Sequence, residues 1–482
     1  MMSFPPPARQ VTNFYAINTC IFAAMAGGMG WGIRGQYGHE TGAMVAGLLV
    51  SLILLVRLFP GRELTLNLRA AAWCTVGMGI GGSMTYGQTI GLTQNAHLIG
   101  NQDAWWWGML GLGVKGAVWV GFAGFFFGLG LTTVRYRFSE LAWMLLSMCG
   151  LFVLGVWLLN EPYEPLENRL PWIYFSESEY WKPEGEVKPR REVWGGLWLS
   201  LSLLAVYVRL VRKDKLTFRM ALWGAVGGVG FPVGQLFQSY HAWYGVAPWF
   251  EDWAKTVNWW NLMETTFGFV LGAFLAIGLW LNRHLVGNQV SPSRPSGTWA
   301  MGWEWVAIGL HIFLLACSDF LLVPALSRIY MYGVVIVCIP VLASLRGTWF
   351  PWLILSPITL FPIAGKTLIN LAFKEEGGIA PALGLLCYFV FPLAVSTFLV
   401  GMLRHRAHRG QQANPLVELL LFNTWALWLL NYAVFEYPLP WQTWTVRTPS
   451  AIVFFVFAAC LTIAALGASN RIELPVKRAT PN

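Results

Sequence analysis

Apolar runs recur along the whole chain, and this recurrence restricts the possible fold more than any other feature. A run of about twenty apolar residues crosses the roughly 30 Å hydrocarbon core of a bilayer as one helix. Hydrophobic residues make up 56% of the sequence and charged residues only 11%, which lies outside the usual range of soluble proteins. We therefore predict an all-α fold, a polytopic transmembrane helical bundle.

The runs predict about fourteen transmembrane helices. They fall near residues 14–33, 41–58, 68–92, 104–131, 140–159, 193–210, 217–238, 258–281, 303–323, 328–345, 349–372, 380–403, 414–434 and 448–468. Cytoplasmic loops carry an excess of Lys and Arg. If the N-terminus is cytoplasmic, 20 of the 32 basic residues lie in cytoplasmic segments or at the cytoplasmic helix ends. This predicts a cell-membrane protein with both termini in the cytoplasm.

The charge balance bears on the partners. The formal net charge of +9 is explained by Arg and Lys at helix ends, beside anionic lipid headgroups. We therefore expect membrane lipid and a small-molecule solute as partners, and no nucleic acid. The sequence leaves the oligomeric state open.

The chain divides into two helical parts. Residues 1–281 hold the first eight predicted helices, residues 282–302 form a Ser-Pro-rich cytoplasmic linker, and residues 303–482 hold the last six. A long connection at 160–192 is rich in Glu, Pro and aromatic residues. It is expected either to fold as an external cap or to serve as a solvated connection.

The first eight helices show a weak internal repeat. Three glycine-rich outgoing helices end in Gly-Gln, at Gln36, Gln88 and Gln235, and the returning helices carry Glu40, Lys115 and Glu264. The copies share one orientation, so they predict parallel hairpin repeats. Glycines four residues apart also permit close helix crossings in lipid, which explains the same spacing by packing alone.

Ionisable residues inside predicted spans are the main functional signal, because burying a charge at membrane depth costs several kcal/mol. Residues 27–47 hold eight glycines together with Arg34, His39 and Glu40, and we expect discontinuous or re-entrant structure at 30–42. The candidate substrate-binding residues are Arg34, Gln36, His39, Glu40, Gln88, Lys115, Gln235, Glu264 and Lys366.

These charges allow two interpretations. Packing of the repeats around a common axis would bring Arg34, Glu40, Lys115 and Glu264 together, as an ion-pair network that fixes the helices. Alternatively they form a solute site, where the excess of basic groups favours an anionic or polyhydroxylated ligand. In that case Glu40 or Glu264 could carry a proton.

Metal and cofactor sites are not predicted. The seven cysteines lie in predicted helices without paired spacing, and His39, His97 and His241 match no ligand motif. His311 has no second histidine at membrane depth with which to bind a haem. The 28 tryptophans include runs at predicted outer helix ends, which indicate interfacial belts or, alternatively, the wall of a vestibule that stacks on sugar rings.

Three function classes remain open. The sequence has no phosphate-binding loop, zinc-protease motif or nucleophile elbow, so a transporter would be secondary or passive. The favoured interpretation is a secondary transporter of a small polar or anionic solute, proton-coupled through Glu40 or Glu264. The alternatives are a membrane transferase or hydrolase for a lipid-linked or carbohydrate substrate at the outer face, with His39 and Glu40 or Glu264 as acid and base, and a membrane scaffold subunit.

Overall fold

The computed structural model describes residues 8–35, 37–182, 189–287, 301–321, 323–331, 333–374, 379–410, 414–434 and 443–472. These ranges contain helices and connections and no β-strand. The helices of the first part are α1 (Ala8–Arg34), α2 (Glu40–Leu58), α3 (Leu64–Gly79), α4 (Gly87–Gln94), α5 (Gln102–Leu131), α6 (Phe138–Leu159), α7 (Trp194–Leu210), α8 (Lys215–Gly227), α9 (Gly230–Tyr244), α10 (Glu251–Ala254) and α11 (Trp259–Asn282).

The second part begins after the linker, whose residues 288–300 lie outside the described ranges. Its helices are α12 (Met301–Ala316), α13 (Pro324–Met331), α14 (Cys338–Arg346), α15 (Phe350–Leu353), α16 (Thr359–Ile369), α17 (Pro381–Gly384), α18 (Phe391–His408), α19 (Pro415–Val434) and α20 (Thr448–Ile472). Wider π-helical turns interrupt or extend several of them, at Cys317–Leu321, Ile354–Ile358, Asn370–Lys374 and Leu385–Val390.

Within the described residues, 11 helical stretches are long and apolar enough to cross a membrane. They are Phe14–Arg34, Glu40–Leu58, Gln102–Leu131, Phe138–Leu159, Lys215–Tyr244, Trp259–Leu285, Gly302–Phe320, Phe350–Lys374, Pro381–His408, Pro415–Val434 and Thr448–Ala468. This confirms a multi-pass, membrane-embedded helical protein. The predicted runs 68–92 and 328–345 are each divided between shorter helices, and 193–210 corresponds to a helix of 17 residues.

The main interruption in the glycine-rich helices lies in the second predicted hairpin. After Gly79 the chain forms a 3₁₀ turn at Ile80–Ser83 and becomes extended at Met84 before α4 begins. A Cβ on Gly81 would lie 2.2 Å from the Trp119 ring, and one on Gly82 would lie 2.4 Å from the Glu40 backbone. The helix therefore breaks where its backbone packs directly against α2 and α5.

The first hairpin, where discontinuity was expected at 30–42, is more regular. Helix α1 continues to Arg34 and α2 begins at Glu40, so the described non-helical residues are confined to the turn between them. Gly38 has φ +85°, a left-handed conformation that favours glycine. Gln36 lies outside the described residues.

Glycine brings two pairs of helices into direct backbone contact. A Cβ on Gly268 of α11 would lie 2.2 Å from the Gly27 carbonyl oxygen of α1. A Cβ on Gly116 of α5 would lie 2.3 Å from the Gly228 carbonyl oxygen beside α8. Helices α2 and α3 also pack together, so each returning helix of a predicted hairpin contacts the outgoing helix of the next. Parallel repeats around an axis would give such contacts, and the repeat itself stays a prediction.

We expect Gly268→Leu to lower the free energy of unfolding by about 1–3 kcal/mol, because the added side chain must separate α1 from α11. Thermal unfolding in detergent, followed by size-exclusion chromatography, measures this change. Gly401→Leu is the matched control, since no heavy atom lies within 4 Å of a Cβ built at Gly401. Equal destabilisation by both variants would contradict close packing at Gly268.

Candidate functional site

A buried ion pair joins the end of α1 to α11. Arg34 Nη2 lies 2.7 Å from Glu264 Oε1, and the two side chains are 1% and 2% exposed. Arg34 also donates to the Tyr86 hydroxyl, which lies 3.4 Å from the same carboxylate oxygen. Trp260 Nε1 donates to that oxygen over 3.2 Å. Several donors thus converge on Glu264, and the pairing lowers the cost of burying both charges.

Aromatic rings pack beneath this pair, and we call them the aromatic floor: Trp31, Tyr86, Trp119, Phe231 and Phe267. All are buried. The Arg34 guanidinium carbon lies 4.6 Å from the Trp31 ring centroid and 5.5 Å from that of Trp119, within cation–π range. Trp31 precedes Arg34 by one helical turn, and Phe267 follows Glu264 by one turn. Their centroids are 4.5 Å apart, so the floor fills the space on one side of the ion pair.

Buried polar atoms beside the pair lack protein partners. Within the described part of the chain, nothing hydrogen-bonds to Arg34 Nε, Trp31 Nε1 or Asn261 Oδ1, although the Asn261 amide nitrogen donates to the Gly32 carbonyl. An unsatisfied buried polar atom costs about 1–3 kcal/mol. Two donors and one acceptor are therefore left for a small polar ligand or water.

The turn that follows α1 lies against the pair. In the turn between α1 and α2, Gly35, Gly38 and His39 are exposed, although Arg34 and Tyr37 are buried. A Cβ on Gly35 would lie 2.4 Å from Glu264 Oε2, so any larger residue would have to displace this carboxylate. His39 Nδ1 lies 3.3 Å from Arg34 Nη1. The exposed turn therefore covers an ion pair whose own side chains are buried.

A second ion pair lies at the same turn and connects it to the second part of the chain. Lys366 Nζ of α16 is 3.2 Å from Asp319 Oδ2, which belongs to the π-helical turn after α12. Lys366 also donates to the Tyr37 carbonyl over 2.7 Å, and Thr41 donates to Asp319 over 2.8 Å. π-Helical turns in α-helices are frequent at functional sites. Both parts of the chain thus contribute to one cluster.

Glu40 lies between these two ion pairs. Its side chain is half-buried, and Arg34, Lys366 and Asp319 all act on it electrostatically. Among the described residues, no other side chain donates a hydrogen bond to its carboxylate or forms an ion pair with it. Glu40 is therefore the carboxyl at this turn that is available for a ligand or a proton.

Lys115 does not join this cluster, contrary to the expectation that it would approach Arg34, Glu40 and Glu264. Its ammonium lies 2.6 Å from Glu192 Oε1 and donates over 2.7 Å to both the Thr85 carbonyl and Thr89 Oγ1. All three donors of the ammonium are used. The pair is 1% and 0% exposed, which indicates a structural role for Lys115.

The two remaining candidates, Gln235 and Gln88, and the two histidines already rejected as metal or haem ligands lie elsewhere. Gln235 is buried and donates to Thr93 and Gln94, and Gln88 lies half-buried in the first turn of α4. His311 lies 2.7 Å from the Tyr330 hydroxyl, and His97 lies 2.7 Å from Glu177. Gln235, His97 and His311 thus connect helices or loops locally.

Three important residues were missed from the sequence. Asp319 lies four residues from the end of the predicted span 303–323, where an acidic residue inside an apolar run could have identified it. Tyr86 and Glu192 carry no comparable signal, because one lies in a glycine-rich run and the other in a highly charged loop.

No protein-family model, curated protein or solved structure matches this chain.

Proposed function

We propose that this chain is a secondary transporter of a small anionic or polar solute, coupled to protons through Glu40. The observation that carries the proposal is the position of the Arg34–Glu264 pair, which lies between an exposed turn and a packed aromatic floor. A buried charge pair that one short turn covers suits a closed state of an alternating-access cycle.

The charges favour an anion. Arg34, Lys366 and Arg190 all act electrostatically on His39, which is exposed at the turn. Arginine binds carboxylate and phosphate groups through paired N–H donors. A small anion at the turn would accept hydrogen bonds from the spare Arg34 Nε and the neighbouring donors. Glu40 would repel this anion as long as its carboxylate is unprotonated.

Glu40 suits proton coupling better than Glu264. Glu264 already accepts hydrogen bonds from Arg34, Tyr86 and Trp260, so protonation would disrupt a built network. Glu40 has no such partners within the described ranges, and its environment combines the positive and negative charges of Lys366 and Asp319. A proton on Glu40 would remove its repulsion of an incoming anion.

Proteoliposomes that contain a pH-sensitive dye test this function. Phosphate, sulfate, succinate and gluconate are added outside the liposomes one at a time. We expect at least one of these anions to acidify the lumen, and none to do so in protein-free liposomes. Radiolabelled uptake of that anion should rise with an inward proton gradient. Absence of uptake for every anion, with protein shown to be folded and inserted, would contradict the proposal.

We expect Glu40→Gln to abolish proton-driven accumulation while preserving exchange of labelled for unlabelled solute across the membrane. The amide retains the shape of the side chain but cannot release a proton, so net coupled transport stops and exchange continues. Accumulation and exchange are measured in the same liposomes. Glu251→Gln, at an exposed position at the start of α10, is the control. Coupled accumulation that survives in Glu40→Gln would exclude Glu40 as the proton carrier.

A second candidate, a transferase or hydrolase for a carbohydrate-containing substrate, is favoured by a separate cavity of about 800 Å³. Its walls are mainly aromatic, and His241 stacks on Trp259 with centroids 4.1 Å apart. Aromatic faces stack on sugar rings. If maltose or lactose protects the tryptophan fluorescence of the protein from a soluble quencher, and cleaved sugar is then detected, this candidate is supported over transport.

A further inference from the structure

A lateral groove of about 970 Å³ lies between α6 and the segment around α13, away from the Arg34 site. One wall is formed by Cys149, Phe152, Val153 and Val156, whose spacing places them on one face of α6. The facing wall includes Ile329, Val334 and Val335. The groove therefore joins the two parts of the chain.

The groove is open towards the region that lipid would occupy. Val153 and Trp157 on α6 are 67% and 66% exposed, as expected of side chains that face the hydrocarbon core. From Cys149 to Val156 the groove follows α6 for about 10 Å at a rise of 1.5 Å per residue. Beyond the end of α6 it reaches charged residues of the following connection.

The charged end of the groove contains both acidic and basic side chains. Glu161, Glu164, Arg169 and Arg191 line it, and Arg169 Nη1 lies 2.7 Å from Glu164 Oε2 while Arg191 pairs with Glu161. The two arginines are 60% and 53% exposed. Exposed ion pairs contribute little to stability, so a ligand can replace these contacts at low cost.

We propose that this groove is a binding site for a zwitterionic phospholipid. The phosphate would bind between Arg169 and Arg191, the headgroup amine would face Glu161 and Glu164, and an acyl chain would lie along the apolar wall of α6. Charge of both signs at one end and an apolar wall at the other match a zwitterionic headgroup and its chain. An anionic lipid has no amine that could pair with the two glutamates, so it would bind less well.

Native mass spectrometry of the purified chain tests the site. The protein, delipidated in detergent, is offered equimolar phosphatidylethanolamine and phosphatidylglycerol with identical acyl chains. We expect selective retention of phosphatidylethanolamine. Preferential retention of phosphatidylglycerol, or retention of neither lipid, would overturn the proposal.

Two variants locate the bound lipid. Val153→Trp should fill the apolar wall and eliminate retention, whereas Leu146→Trp, two turns earlier on α6 and 59% exposed, should not. Arg169→Ala/Arg191→Ala should abolish the preference for phosphatidylethanolamine, whereas Lys255→Ala, on an exposed loop, should leave it unchanged. Equal retention by Val153→Trp and the wild type, with both shown to be monodisperse, would exclude the groove as the site.

Discussion

Replacing Glu264 by alanine should lower the free energy of unfolding by about 3–5 kcal/mol, because it leaves Arg34 as a buried cation without its partner. The loss includes the hydrogen bonds that the carboxylate accepts from Tyr86 and Trp260. Thermal unfolding of the detergent-purified protein measures the effect. Uptake should also be absent, since the proposed solute site no longer exists.

The double variant Arg34→Met/Glu264→Gln separates folding from function. Removing both charges avoids an unpaired buried ion, so stability should return close to that of the wild type. Transport should remain absent, because the methionine cannot bind an anion. Full uptake by a stable double variant would show that the pair only joins α1 to α11, which is the structural interpretation of these charges.

The sequence was most informative where a residue type conflicted with its surroundings. Arg34 and Glu264 were identified as unusual because they are charges within apolar runs, and the structure brings them within 2.7 Å of each other. The membrane-embedded helical character follows equally from the apolar runs. Both inferences depend on the large free-energy cost of placing a charge in an apolar environment or an apolar run in water.

Partners at long sequence separation were not predictable in this way. Lys115 was expected beside Arg34, but its partner is Glu192, which lies 77 positions away in the connection before α7. The choice between these partners depends on how the connection folds back onto the bundle. Periodicity and composition contain no information on that path.

The interruption after α3 shows why boundaries were also missed. The run 68–92 is apolar enough to predict one helix, yet the chain breaks at Gly79–Tyr86 where glycines contact neighbouring helices. The Thr85 carbonyl is left outside a regular helix and accepts a hydrogen bond from Lys115. Irregular backbone at membrane depth is tolerated when its polar groups are satisfied in this way.

Glu192→Ala should therefore destabilise the protein by about 3–5 kcal/mol, a cost comparable to that of breaking the Arg34 pair. Glu192 accepts hydrogen bonds from Lys115, Ser176, Trp194 and the Phe175 backbone, so its loss leaves several buried donors unpaired. It should also release the 160–193 connection from the bundle. Thermal unfolding and limited trypsin digestion within this connection measure the two effects.

The control is Glu164→Ala, which removes an exposed ion pair of the same connection and should cost about 0–1 kcal/mol. Lys115→Met/Glu192→Gln should recover most of the stability and, unlike the Arg34 double variant, retain uptake. The two double variants each remove one cation and one carboxylate from the bundle. A difference in uptake between them therefore distinguishes the role of the Arg34 pair from that of the Lys115 pair. Loss of uptake in a stable Lys115 double variant would instead place Lys115 in the solute path.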